Sequence, residues 1–245
     1  MQKFYDTVDH EIVSQEFLNL LSTVRTDNPS ISFDDITRIF LSYLNCYDFP
    51  KDVLTKNGDN NYWRTHRIPN GTFGWIALLN KDEGVVGSSM YRLGVPQGGA
   101  LSGLIANIVI NKVDKTVLPN LHSKNDLYVR YCDDMLLLST NNKRCKKLFK
   151  LYSQSLEVAH LKPHLPEEIT FGTKEYWKTK TKSVYQWSMY NRQAGSRWIG
   201  FVGYEINRSG EIRIRKSSIK KEKRKQKKVV SEIFKLTYKK PRVND

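Results

Sequence analysis

Apolar residues return at helical spacing from Ile12 to Val24 and again from Ile36 to Leu44, which predicts two helices with one packing face each. Ser32 or Asp34 can cap the second of these. An apolar run from Leu104 to Val113 predicts a third helix, with Ser102 available as its cap. Asn142 to His160 predicts a fourth, with Leu148, Leu151, Tyr152 and Leu156 inward. Between these last two, Val129 to Leu138 is apolar except at Arg130 and at Asp133-Asp134, and predicts two short strands meeting at a tight turn. Trp198 to Ile206 predicts a hairpin, which Gly210 ends. Arg213 and Arg215 then alternate on a short strand, and a helix begins at Ser217 or Ser218.

The 44 residues from 47 to 90 show neither period. They are polar and rich in Asn, Gly and aromatics, as in a long connection. Trp63, Phe73 and Trp75 lie there; aromatics beside a basic groove can stack on bases, but such residues more often join the core. Helical and strand patterns alternate without repeats, and the length suits one or two subdomains with a substantial core.

Charge adds a partner. Lys and Arg number 40 against 25 Asp and Glu, a formal net charge of +15. From Glu211 to Asp245 there are 14 basic and 4 acidic residues, so most of the excess lies in the last seventh of the chain. Such an excess gives salt-dependent affinity for a phosphate backbone, although it also suits a ribosomal or membrane-surface protein. No apolar run approaches the ~20 residues of a membrane span. Cys46, Cys132 and Cys145 are too few and too irregular for a disulfide frame or a zinc site, which suits a reducing, cytoplasmic setting.

The candidate chemistry sits at Asp133 and Asp134. Two carboxylates held close with apolar flanks repel unless a cation lies between them, and Mg²⁺ fills its shell with few carboxylates and substrate phosphates. The plain alternative is a hairpin turn, where Asp is favoured. A second segment, Leu93 to Ser102, is a glycine-rich loop containing Pro96, Gln97, Gly98 and Gly99. Glycine there lets backbone amides approach a phosphate or base pair, and Gln97 is the polar side chain able to reach out.

Together these two segments resemble motifs B and C of the reverse transcriptases. Lys3 to His10 resembles the tail of that family's motif A, and Trp198 to Ile206 resembles its primer-grip hairpin. The resemblance implies an α+β fold: a right-hand polymerase palm, antiparallel sheet with packed helices, over residues 1–206 with a partial fingers insertion around 47–90. Residues 207–245 would supply the end of the primer grip and an incomplete, basic, helical thumb. It implies an RNA-directed DNA polymerase using two Mg²⁺ ions, with Mn²⁺ as substitute, held by Asp133 and Asp134. Tyr5 falls on the family's sugar gate, and Tyr5, Gln97 and Gly98 would meet the incoming deoxynucleoside triphosphate. Gly203, Tyr204, Lys220, Lys223, Arg224 and Lys227 would hold an RNA template with its DNA primer, or their hybrid duplex. A noncoding RNA is a further candidate partner. One of Lys174, Lys178, Lys180 and Lys182 would protonate the leaving pyrophosphate. His10 is expected to be structural.

The same comparison exposes a departure. The family's first motif-A Asp would stand one place before Met1, whereas Asp6 and Asp9 match later, non-ligand positions. The expectation is a chain truncated within motif A, most of the fingers missing, and inactive as it stands. The Tyr131 to Asp134 box and the Trp198 hairpin resemble bacterial, non-retroviral enzymes, and Trp177 to Trp187 resembles the defence-associated, anti-phage groups. The competing readings are a template-independent or RNA-making polymerase, and a pseudo-polymerase that only binds nucleic acid.

Overall fold

The computed structural model describes residues 4–27, 30, 32–53, 61, 65, 92–179, 181–189 and 195–237. They fall in two compact units, Met1–Leu165 and Pro166–Asp245. Both mix helices with short strands, an α+β composition. No described helix is long and apolar enough to cross a membrane.

The first unit begins with a single turn, α1 (Phe4–Thr7), then α2 (His10–Asp27), α3 (Phe33–Asn45) and the turn α4 (Phe49–Asp52). Next comes α5 (Ser102–Val117), running into a 3₁₀ turn at Leu118–Asn120, and then β1 (Asp126–Tyr131), β2 (Asp134–Ser139) and α6 (Asn142–Val158). Helix α5 is the hub. Its Ile105, Ala106, Val109, Ile110, Val113 and Val117 are fully buried. Those β-branched residues have modest helix propensity, so packing rather than local preference sustains this helix. Val8, Val13, Phe40, Tyr152 and Leu156 close the same core around it. Phe17 and Phe40 stack with ring centroids 3.6 Å apart, tying α2 to α3.

Local signals set several boundaries. Ser32 caps α3, its hydroxyl accepting from the Asp35 amide at 3.3 Å. Asn141 caps α6 in the same way through the Arg144 amide. Helix α6 ends at Val158, two residues before the expected His160, and of its four expected inward residues Leu151 is only partly buried. Ser102 is not a cap. Leu101 holds the N-cap position, and the Ser102 hydroxyl instead donates to Pro96 O at 2.5 Å.

The second unit contains α7 (Lys174–Lys178), a two-residue parallel pair β3 (Gln186–Trp187) and β4 (Gly195–Ser196), and an antiparallel sheet. That sheet is β5 (Trp198–Phe201), β6 (Tyr204–Asn207) and β7 (Ile212–Ile214), followed by α8 (Lys216–Thr237). Gly210 therefore belongs to the β6–β7 turn rather than closing the β5–β6 hairpin. Helix α8 starts at Lys216, so Ser217 and Ser218 lie inside it and cap nothing. Asn207, 1% exposed, organises the β6–β7 turn by accepting from the amides of Ser209 and Glu211 at 3.0 and 2.9 Å.

Candidate active site

Strands β1 and β2 pair with Tyr131 opposite Asp134, leaving Cys132 and Asp133 as a two-residue loop. Cys132 takes a left-handed backbone (φ 50°), the kind of geometry a two-residue hairpin loop needs. Arg130 secures the turn from behind. Its guanidinium donates to both carboxylate oxygens of Asp114 on α5, at 2.6 to 3.0 Å, and to the Cys132 carbonyl at 3.0 Å. Tyr128 adds a hydroxyl bond to the same Asp114 at 2.8 Å.

Asp133 is thereby held half-buried at the loop and Asp134 exposed beside it. Neither has an ion-pair or hydrogen-bond partner among the described residues. The nearest guanidinium, on Arg130, is spent on Asp114. Two adjacent carboxylates without a counter-charge suit a hard divalent cation completed by substrate phosphates. Asp133 and Asp134 fit Mg²⁺ in that partial sense. Among the described residues no group of three His, Cys, Asp or Glu side chains assembles around a metal position.

The motif-A tail and the glycine loop are zipped together. Val95 donates to Tyr5 O and Gly94 to Val8 O, each at 2.7 Å, and Asp9 bridges Leu93. His10 lies under the joint: its Nε2 bonds the Gly94 carbonyl at 2.6 Å, while its Nδ1 finds no partner among the described residues. Burial lowers the His10 pKa, which keeps the ring neutral, so Nε2 carries the proton. Asp9 is buried and accepts from the Glu11 amide at 2.8 Å and from His160 Nδ1 at 2.8 Å. Asp9 and His10 are therefore framework, as expected of them.

Tyr5 lies half-buried beside this zipper; burial raises its phenol pKa, and the charges of Cys132 and Asp133 raise it further. Within the glycine loop the roles divide. A side chain at Gly94 would meet Phe49 Cβ at 2.9 Å, and one at Gly99 would fall on the Tyr43 hydroxyl, so both are closed by packing. Gly98 (φ 86°) has nothing within 4 Å of where its Cβ would be, and Gln97 is exposed with no hydrogen bond among the described residues. Gln97 and Gly98 are the open part of the loop.

The second unit carries the residues expected to meet template and primer. Val202 (φ 45°) and Gly203 (φ 83°) form the β5–β6 turn, and Tyr204 stands 51% exposed just after it. Arg213 lies over the Trp198 ring at 3.7 Å and pairs with Glu205 at 2.8 Å, stiffening the sheet face. Lys220, Lys223, Arg224 and Lys227 are exposed on α8 at i, i+3, i+4 and i+7, which puts them on one stripe. Lys174 and Lys178 are exposed on α7. Lys182 is engaged, donating to Thr179 O, to Thr179 Oγ1 at 3.1 Å and to Trp177 O at 3.3 Å. Lys180, Trp63, Phe73 and Trp75 lie outside the described residues.

Arg130 and Asp114, which position the turn, escape the sequence reading. The one available signal is that Arg130 interrupts an apolar run; Asp114 stands just past the end of another, beside Lys112 and Lys115.

No curated protein matches this chain. Residues 56–166 match the reverse transcriptase (RNA-dependent DNA polymerase) family, a span that contains Gln97, Gly98, Asp133 and Asp134 but neither Tyr5 nor the second unit's sheet and α8. Over just under half its length, a span that includes the hairpin turn and the glycine loop, this chain is similar to the RNA-dependent DNA polymerases.

Proposed function

We propose that this chain is the palm and the start of the thumb of an RNA-templated DNA polymerase of the bacterial, non-retroviral kind, serving anti-phage defence or a retroelement in the cytoplasm. The observation that carries the reading is the hairpin turn that presents Asp133 and Asp134 without a counter-charge, within a span that matches the reverse transcriptase family. Asp133 is the principal metal ligand of this chain and Asp134 supports it. Magnesium, when bound, neutralises charge on the attacking and leaving oxygens of a phosphoryl displacement. Tyr5 sets its ring against the sugar and rejects a ribose 2′-hydroxyl by steric exclusion. Gln97 contacts the incoming nucleotide, and the bare backbone at Gly98 lets the template pair approach. Gly203 and Tyr204 seat the primer, while Lys220, Lys223, Arg224 and Lys227 grip phosphates without reading sequence.

Primer extension on an RNA template tests this, with deoxynucleotides and ribonucleotides compared. Magnesium-dependent DNA synthesis is expected, falling at least about a hundredfold in Asp133→Ala, as expected for loss of a group that stabilises the transition state. Tyr5→Ala should admit ribonucleotides. Duplex binding with no Asp133-dependent synthesis would replace this reading with a non-catalytic binding module. Synthesis from ribonucleotides by the unmutated protein would make it an RNA polymerase.

A further inference from the structure

The β1–β2 hairpin has a second end. Asp126 pairs with Ser139 there, five residues along β1 from Tyr131, or about 17 Å from the Asp133 turn at the usual rise. A groove opens at that end, formed by two concavities of about 480 and 370 Å³ that share Arg144 and Lys147. Its floor is built. Arg144 donates to Asp126 at 2.6 Å and to Asn120 O at 2.7 Å, and Asp126 also accepts from the Ser139 hydroxyl at 2.7 Å.

From α6, Lys143, Lys147 and Lys150 line this groove and Lys146 continues their row, all four exposed at i, i+4, i+7 and i+3. The opposite side of the helix carries the buried Cys145, Leu148, Tyr152 and Leu156. The stretch from Asn142 to Lys150 contains five basic residues and no acidic one. None of the four lysines has a carboxylate partner among the described residues. Asp126 is spent on Arg144. Like charges at these spacings destabilise a helix, and the positive end of the helix dipole adds to the repulsion. A solvated face has no need of an unrelieved row of cations over a concave surface. A polyanion laid along it would offset the repulsion. Beside its lysines and Arg144 the groove is lined by amides, a hydroxyl, two leucines and the exposed imidazole of His122, with no Phe, Tyr or Trp, so its contacts are mainly to phosphates.

We infer that the α6 lysine row is a second nucleic-acid site, which takes the phosphodiester backbone of a base-paired stem away from the Asp133 turn. This inference does not depend on catalysis. Its test is equilibrium binding of a fluorescent RNA stem-loop and of a DNA duplex to the full chain over a salt series. The protein is compared with its Lys143→Gln/Lys146→Gln/Lys147→Gln/Lys150→Gln variant. The slope of log affinity against log salt should fall by about 3, since each neutralised phosphate contributes just under one. Lys220→Gln/Lys223→Gln/Arg224→Gln/Lys227→Gln should lower it separately. A loss for the RNA stem alone identifies RNA as the occupant, and a loss for both identifies any duplex. An unchanged slope overturns the inference. Should the quadruple variant melt early, lysine acylation of the unmutated protein decides. Bound stem must shield these four lysines, and full labelling at saturation overturns the inference.

Discussion

Replacing Arg130 with Met isolates what holds the Asp133 turn in place. The Arg130 and Asp114 side chains are only 13% and 15% exposed, and the pair is bidentate with Tyr128 as a third partner. Arg130→Met leaves the Asp114 carboxylate in that setting with one hydroxyl donor. Removing one member of a buried pair costs about 3–5 kcal/mol, because the remaining charge stays desolvated. For a protein of this size that is roughly a 6–20 °C drop in melting temperature. Asp114→Leu alone should cost a similar amount by stranding the guanidinium. The double variant Asp114→Leu/Arg130→Met should then be far less destabilised than the sum, with a coupling of at least about 2 kcal/mol. Urea unfolding of the four proteins, read as midpoints at constant slope, gives each value. A loss below about 1 kcal/mol in Arg130→Met would mean that the pair behaves like an exposed one, and the anchoring argument would fail. Additive single effects would refute it as well. Because Arg130 also donates to the Cys132 carbonyl, even the restabilised double variant should synthesise poorly.

Two further outcomes follow from the same core. His10 titrates below its ordinary value in the folded chain because it is buried, with Arg92 opposing its charge and Asp48 and Asp9 favouring it. The unfolded chain therefore binds the extra proton first as pH falls. Stability should be complete above about pH 6.5 and decline below it, and His10→Gln, which keeps a donor for the Gly94 carbonyl, should flatten that decline in melting curves. An equally steep decline in the variant would assign the effect elsewhere. Gly99→Ala should cost about 1–3 kcal/mol in urea unfolding through overlap with the Tyr43 hydroxyl, and Tyr43→Phe should recover much of it; an unrescued loss would point to a different clash.

Helix and strand existence was legible because those signals are local. Ser32 and Asn141 cap helices through amides three residues away. That two strands meet at a turn near the Asp pair was legible from the break in the apolar run; that the loop is Cys132-Asp133, with Asp134 already in β2, was not. The cap at Ser102 failed where a tertiary partner outbid the local option, since Ser102 bonds Tyr43, 59 positions away, as well as Pro96; Ser217 and Ser218 failed because the helix begins before them, at Lys216. The zipper that joins the Tyr5 segment to the glycine loop rests on contacts such as His10 to Gly94, 84 positions apart. No periodicity encodes those. By itself the sequence determined the element types, the paired carboxylates, the open glycine loop and the polyanion-seeking charge, since each depends on neighbours along the chain. Only the tertiary structure decided which carboxylates stay unneutralised, that Arg130 is committed to Asp114, and that the α6 lysines rim a groove. Charge becomes chemistry through distance, and distance between remote residues is set by the packing of α5 against everything around it.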